Sequence, residues 1–163
     1  MKTLLLLRHA KSSWGEPGLD DHDRPLNKRG AKAAPRMGKL LRDEGLSPDA
    51  VLASSAERTQ ATARAVCEAL DYPGDIDVRH SLYLAAPSAY LHAVRELPDE
   101  IGRALVVGHN PGLEDLLEAL SGHARRLPTA ALAVLELPVK HWRDVELDGR
   151  ARCLRVWRPK ELD

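Results

Sequence analysis

The stretch "LLLLRHAKSS", residues 4–13, decides how this chain folds. Leu4 to Leu7 run without alternation into Arg8, His9, Ala10, Lys11, Ser12 and Ser13. An unbroken apolar run of strand length suits a strand buried on both faces, in a parallel sheet covered by helices above and below. A strand so apolar that ends so abruptly in charge has either reached a surface loop or holds a site still.

The residues on either side extend this reading. The first strand is predicted over Thr3 to Leu7. Residues 15–27, "GEPGLDDHDRPLN", are turn formers and charges, hence a loop. A helix is predicted from Lys28 to Glu44, with Asn27 as N-cap, Gly45 past its end, and a kink or late start at Pro35. Ala50 to Ala53 reads as a second strand. Ser54 and Glu57 have capping-box spacing for a helix to Leu70. Ile76 to Val78 is a third strand, and Pro87 to Leu97 a helix with proline in its first turn. Ala104 to Gly108, "ALVVG", is another buried strand. Asn110 is expected to cap a helix from Pro111 to Leu120. Ala131 to Leu137 and Cys153 to Trp157 are two further strands, joined by a segment around His141 to Gly149. Strands alternating with helices predict an α/β, three-layer α/β/α sandwich with a mostly parallel central sheet. With 163 residues and no repeat or linker, one domain over residues 1–163 is expected.

Composition narrows the function classes. Lys plus Arg is 24 and Asp plus Glu is 24, a balance that argues against a generic nucleic-acid or membrane-surface binder. It leaves room for a local basic pocket. The two cysteines, Cys67 and Cys153, have no CxxC spacing and read as idle thiols of a reducing, cytoplasmic setting. No stretch has the length of a membrane span, and the first residues lack the pattern of a signal peptide.

Three polar clusters follow three predicted strands. Arg8 and His9 follow the first, the helix start carrying Arg58 follows the second, and His109 and Asn110 follow "ALVVG". Ligands of open α/β sheets bind beyond the carboxyl ends of the strands. Two arginines near a helix start favour an anion, and the guanidinium fork matches phosphate. A neutral histidine there can act as a nucleophile, and a second, if cationic, can stabilise a phosphoryl group in flight. The charge needed is already present in the side chains, so no metal cofactor is expected.

These segments resemble a known family. "LLLLRHAKSS" is similar to the Arg-His-Gly motif of the histidine phosphatase superfamily, whose fold is that of the phosphoglycerate mutases. "SSAERTQATA" resembles its Ser-Pro-x-x-Arg-x-x-x-Thr segment, and "VVGHNPGLE" its second-histidine motif. "DRPLNKRG", residues 23–30, and the short length resemble the SixA-type phosphohistidine phosphatases. The resemblance implies that His9 takes the phosphoryl group, that Arg8 and Arg58 bind its oxygens, and that His109 completes the pocket. It also implies a substrate that is a phosphorylated protein or a small phosphorylated molecule.

This sequence departs from the family pattern at three places. Position 10 is Ala where Gly is common, and position 55 is Ser where Pro is usual. Many relatives carry a catalytic Glu after the third strand, and here that stretch reads "SLYLAAP" without a carboxylate. Asp21 and Asp23 are the candidate replacements as proton donor. Residues 71–86 leave no room for the lid found in the mutases. The "DDHDR" loop, residues 20–24, also admits a metal reading, but adjacent residues seldom converge on one ion. Arg24 is its favoured functional member, and with Asn110 it joins the expected substrate contacts. His22, His80, His92, His123 and His141 read as surface residues, and Arg125 as a residue that could reach the pocket from a loop. A phosphatase working through phosphohistidine, acting on phosphohistidine in a protein, is the favoured reading. The same chemistry on a sugar phosphate or nucleotide is the alternative, and a non-catalytic phosphate-binding module a third. Oligomeric state stays open.

Overall fold

The structure is a computed structural model that describes residues 1–162. Six strands form one sheet: β1 (Lys2–Arg8), β2 (Ala50–Ser54), β3 (Ile76–Arg79), β4 (Arg103–Gly108), β5 (Leu132–Leu137) and β6 (Arg152–Trp157). Their order across the sheet is β3-β2-β4-β1-β5-β6. The first four strands pair in parallel, while β5 runs antiparallel to β1 and to β6. Four helices cover it: α1 (Lys28–Asp43), α2 (Glu57–Leu70), α3 (Pro87–Arg95) and α4 (Gly112–Ser121).

The leucine run has the burial its composition requires. Leu5 and Leu7 enter one core with Met37 and Leu41 of α1 and Val66 of α2. Leu4 and Leu6 enter the other, with Tyr90 of α3 and Leu113, Leu116 and Leu117 of α4. Successive side chains of a strand point to opposite faces, so a strand between two helical layers has no polar position to spare. All four leucines are essentially inaccessible. Burial of a leucine side chain contributes about 1.5–3 kcal/mol, so this one strand anchors both layers.

Local sequence rules held in some places and gave way in others. Asn27 caps α1 as expected, its side chain accepting from Gly30 N–H at 2.9 Å. α1 shows no late start: it continues through Pro35, which lies on the exposed side. The capping box at Ser54 does not form. α2 begins after Ala56, which has no capping side chain, and the Ser54 hydroxyl bonds His109 Nε2 and accepts from Ala56 N–H. Asn110 likewise does not cap α4, which starts after Pro111. Cys67 and Cys153 are free thiols. Among the described residues no helix is long and apolar enough to cross a membrane.

Candidate active site

The strand order brings the carboxyl ends of β1, β2 and β4 side by side, since β4 lies between the other two. Residues that follow these ends line a cavity of about 340 Å³: Arg8, His9, Asp21, Arg24, Arg58, His109 and Asn110, with Lys11, Ser12, Trp14, Leu84 and Thr129 around them. Thus seven of the eight singled-out residues meet in one place, and Asp23 lies outside the lining. Asp23 sits 3.6 Å from His22 and is well exposed. Arg125 is exposed and is not part of the lining either.

His9 is held by its own backbone. Its N–H donates to Gly108 of β4 at 3.1 Å, its carbonyl accepts from Ala130, and the next amide, Ala10, donates to Thr62 Oγ1. The ring Nδ1 lies 2.8 Å from the Ala10 carbonyl. A carbonyl only accepts, so Nδ1 carries the proton and the neutral ring keeps a lone pair on Nε2. Burial lowers the His9 pKa to about 4, and Arg58, Arg8 and Arg24 push it the same way against the Ala10 hydrogen bond. The ring is therefore neutral at pH 7.

His109 lies 5.4 Å from His9, ring centre to ring centre, and is almost wholly buried. Its N–H donates to Tyr90 Oη at 3.1 Å, and its Nε2 shares a 2.7 Å hydrogen bond with Ser54 Oγ. A Cβ on the preceding residue, Gly108, would come within 3.0 Å of the Tyr90 ring, so glycine makes room for that support. Burial lowers the His109 pKa to about 3, with His9 and Arg58 adding to the effect. The free pocket thus holds a neutral His109, where sequence reasoning favoured a cation. Loss of hydration on burial is the main cause and the neighbouring positive groups add to it; an anion between the rings would oppose both.

The arginines have defined tethers. Arg58 Nη1 donates to the Asp21 carbonyl at 2.7 Å, and Nη2 pairs with the Asp21 carboxylate at 3.1 Å. Arg24 Nε pairs with the same carboxylate at 3.1 Å, while Nη1 donates to Ser12 Oγ at 2.9 Å. Its guanidinium stacks on the exposed Trp14 ring at 3.5 Å. Pairing of Ser13 N–H with Pro25 and of Asn27 N–H with Lys11 fixes this loop against the "HAKSS" turn. Arg8 donates to the Leu127 carbonyl at 3.2 Å, and burial lowers its pKa. Among the described residues five buried side-chain nitrogen or oxygen atoms lack a partner. Four of them, Arg8 Nε, Arg58 Nε, His109 Nδ1 and Asn110 Oδ1, belong to this cavity. Three of the four are nitrogens, and two lie on cations, the chemistry of an anion site. Asn110 spends its Nδ2 on Glu114 at 3.0 Å and on the Leu127 carbonyl at 2.8 Å, so its amide braces the loop.

Asp21 takes a different part from the one its candidacy as proton donor required. Tyr83 Oη, Arg58 and Arg24 all bond its carboxylate and lower its pKa to about 2. A carboxylate so held carries no proton near neutrality; it orients two guanidiniums. Nor do the acids of "DDHDR" converge: His22 turns to Ser55 at 2.8 Å and Asp23 to His22.

Several contributors escaped the sequence reading. Ser54 follows the strand-end rule and was legible in principle, but its capping-box spacing suggested another use. Tyr83 lies inside the "SLYLAAP" stretch searched for a carboxylate, and its ring meets that of His109 edge-on at 5.6 Å. Ser55 Oγ bridges His22 Nε2 and His80 Nδ1 at 2.8 Å each, a link between distant segments without a local signal. His92 and His141 are surface residues beside Glu96 and Asp99.

Known proteins place this architecture. The sequence model of the histidine phosphatase superfamily (branch 1) matches residues 4–82. An uncharacterised protein of Mycobacterium tuberculosis is 36% identical over 151 residues, covering 86% of this chain and 92% of its own length. The crystal structure of a candidate phosphohistidine phosphatase SixA from Agrobacterium tumefaciens superposes with a TM-score of 0.83 at 32% identity, covering 97% of this chain and 98% of the other. The structure of the protein histidine phosphatase SixA complexed with tungstate superposes with a TM-score of 0.84 at 21% identity over 99% of both chains, a likeness of fold.

Proposed function

The chain belongs to the histidine phosphatase superfamily and is a phosphatase, and on that premise we propose that it removes the phosphoryl group from phosphohistidine carried by a protein. His9 Nε2 attacks the phosphorus, the P–N bond of the substrate breaks, and the departing imidazole leaves with a proton. Water then attacks the phosphorus on His9, releasing inorganic phosphate and restoring the ring. Arg8 and Arg58 hold the phosphoryl oxygens in both steps, and the guanidiniums supply the positive charge that a metal supplies elsewhere. His109 lies across the pocket from His9, where charge develops on the oxygens in flight.

The observation that carries the substrate preference is the state of Asp21. It is the one carboxylate among the described lining residues, and it is ionised and tied to two arginines. An alkoxide leaves badly without a proton. The imidazole of phosphohistidine is a much better leaving group and can be protonated before the bond breaks. The exposed apolar side chains of Trp14 and Leu84 in the cavity lining also suit a substrate borne on a macromolecule.

Steady-state turnover of a histidine-phosphorylated protein beside a panel of alkyl and sugar phosphates tests this. The expected kcat/KM for phosphohistidine is at least ~100-fold higher, about 2.7 kcal/mol in barrier. Comparable efficiency on a sugar phosphate would transfer the assignment to a small phosphomonoester.

A further inference from the structure

A second cavity, of about 600 Å³, adjoins the catalytic one and shares Lys11 and Thr129 with it. Six cations line it: Lys11, Arg29, Lys32, Arg36, Arg158 and Lys160. Among the described residues its one acid, Glu161, is paired with Arg158 at 3.2 Å. In a chain whose formal charges cancel, this is a strong local excess. Lys28 and Arg29 open α1 with no acid in its first turn, where the helix macrodipole favours negative charge. Arg29, Lys32 and Arg36 then follow at spacings of three and four, which places them on one helix face.

We infer that this basic groove docks an acidic segment of the protein whose phosphohistidine enters the catalytic pocket. The inference rests on the function proposed above and names a feature of its substrate. The stripe from Arg29 to Arg36 covers about 10 Å of helix, and Lys11 joins it to the catalytic mouth. An extended chain covers that distance in about three to four residues. Carboxylates within about five positions of the phosphohistidine therefore reach the groove while the phosphoryl group sits at His9. The half-buried Ala33 and the lining Pro128 and Pro159 add an apolar floor suited to a polypeptide.

The test uses two phosphohistidine peptides, identical but for four flanking Glu residues replaced by Gln, together with free phosphohistidine. The wild-type protein should turn over the Glu peptide with kcat/KM about 10-fold above the Gln peptide at low salt, and the gap should close as salt rises. The double variant Lys32→Glu, Lys160→Glu, both at exposed positions, should lose that preference and keep its rate on free phosphohistidine. Equal rates on the two peptides would overturn the docking groove and leave the phosphatase assignment intact. A second readout needs no turnover: the unphosphorylated Glu peptide should bind the wild type and not the double variant. Absence of that binding would overturn the inference even if phosphohistidine proved not to be the substrate. An oligonucleotide that bound at least as tightly, with the same dependence on Lys32 and Lys160, would also overturn it.

Discussion

Two groups of positive charge lie side by side in this molecule, and they are built in opposite ways. In the candidate active site Arg58 is almost wholly buried, and two of its nitrogens are tied to Asp21. In the neighbouring groove Lys32 and Lys160 stand exposed. Buried, tethered charge is oriented before the substrate arrives and is little affected by salt. Exposed charge on long, mobile side chains is screened within about 8 Å at physiological ionic strength and contributes modestly per contact. The pocket is therefore suited to chemistry and the groove to choice of partner. Substitutions should sort the two by kcat against salt sensitivity.

The largest effect is expected at His9. His9→Ala should lose at least about three decades of kcat, and quenched-flow trapping in base should find an acid-labile, base-stable phosphoenzyme in the wild type and none in the variant. Equal labelling of the variant would remove His9 as nucleophile and with it the contrast between the two regions. Next comes Arg58→Ala, which should lower kcat and raise KM together, with about two to three decades lost in kcat/KM. That loss should be the same at low and high salt, unlike the groove variant. A loss rescued by low salt would mean that the pocket works by the same screened attraction as the groove.

A smaller effect separates the regions by pH. His9 and His109 have pKa values of about 4 and 3 in the fold, against an ordinary value near 6.5. Below pH 6.5 the unfolded chain takes up protons that the folded pocket refuses. Stability from these two groups is thus fully present above pH 6.5 and is lost progressively as pH falls through about 4 for His9 and about 3 for His109. Denaturation at pH 7.5 and pH 5 should show the drop. A His109→Gln variant should show a shallower one, and an equal slope would contradict the burial of that ring. The same depression keeps His9, the proposed nucleophile, neutral, so it should impose no acid limb on kcat/KM above about pH 5.

Residues close together in the chain could be read without the fold. The unbroken Leu4 to Leu7 run implies a strand between two helical layers, because only such a strand has no face for water. The alternation of strands and helices implies a mainly parallel sheet, and the strand-end rule points to Arg8, His9, Arg58 and His109. The charges and polar contacts that bridge distant segments could not be read in this way. Ser54 and Asn110 have the spacing of helix caps, but Ser54 Oγ bonds His109 across the pocket and Asn110 turns its Nδ2 to Glu114 and the Leu127 carbonyl, contacts that no local spacing announces. Asp21 is a plausible proton donor in a list of residues. It loses that part only when Arg58, Arg24 and Tyr83 are brought to the same carboxylate from three segments. Net charge conceals the basic groove for the same reason, because a sum over the chain contains no positions. Local sequence determines which element forms and which face it buries, and only tertiary structure decides which charges meet, since a pKa depends on every group within a few ångströms, wherever in the chain it begins.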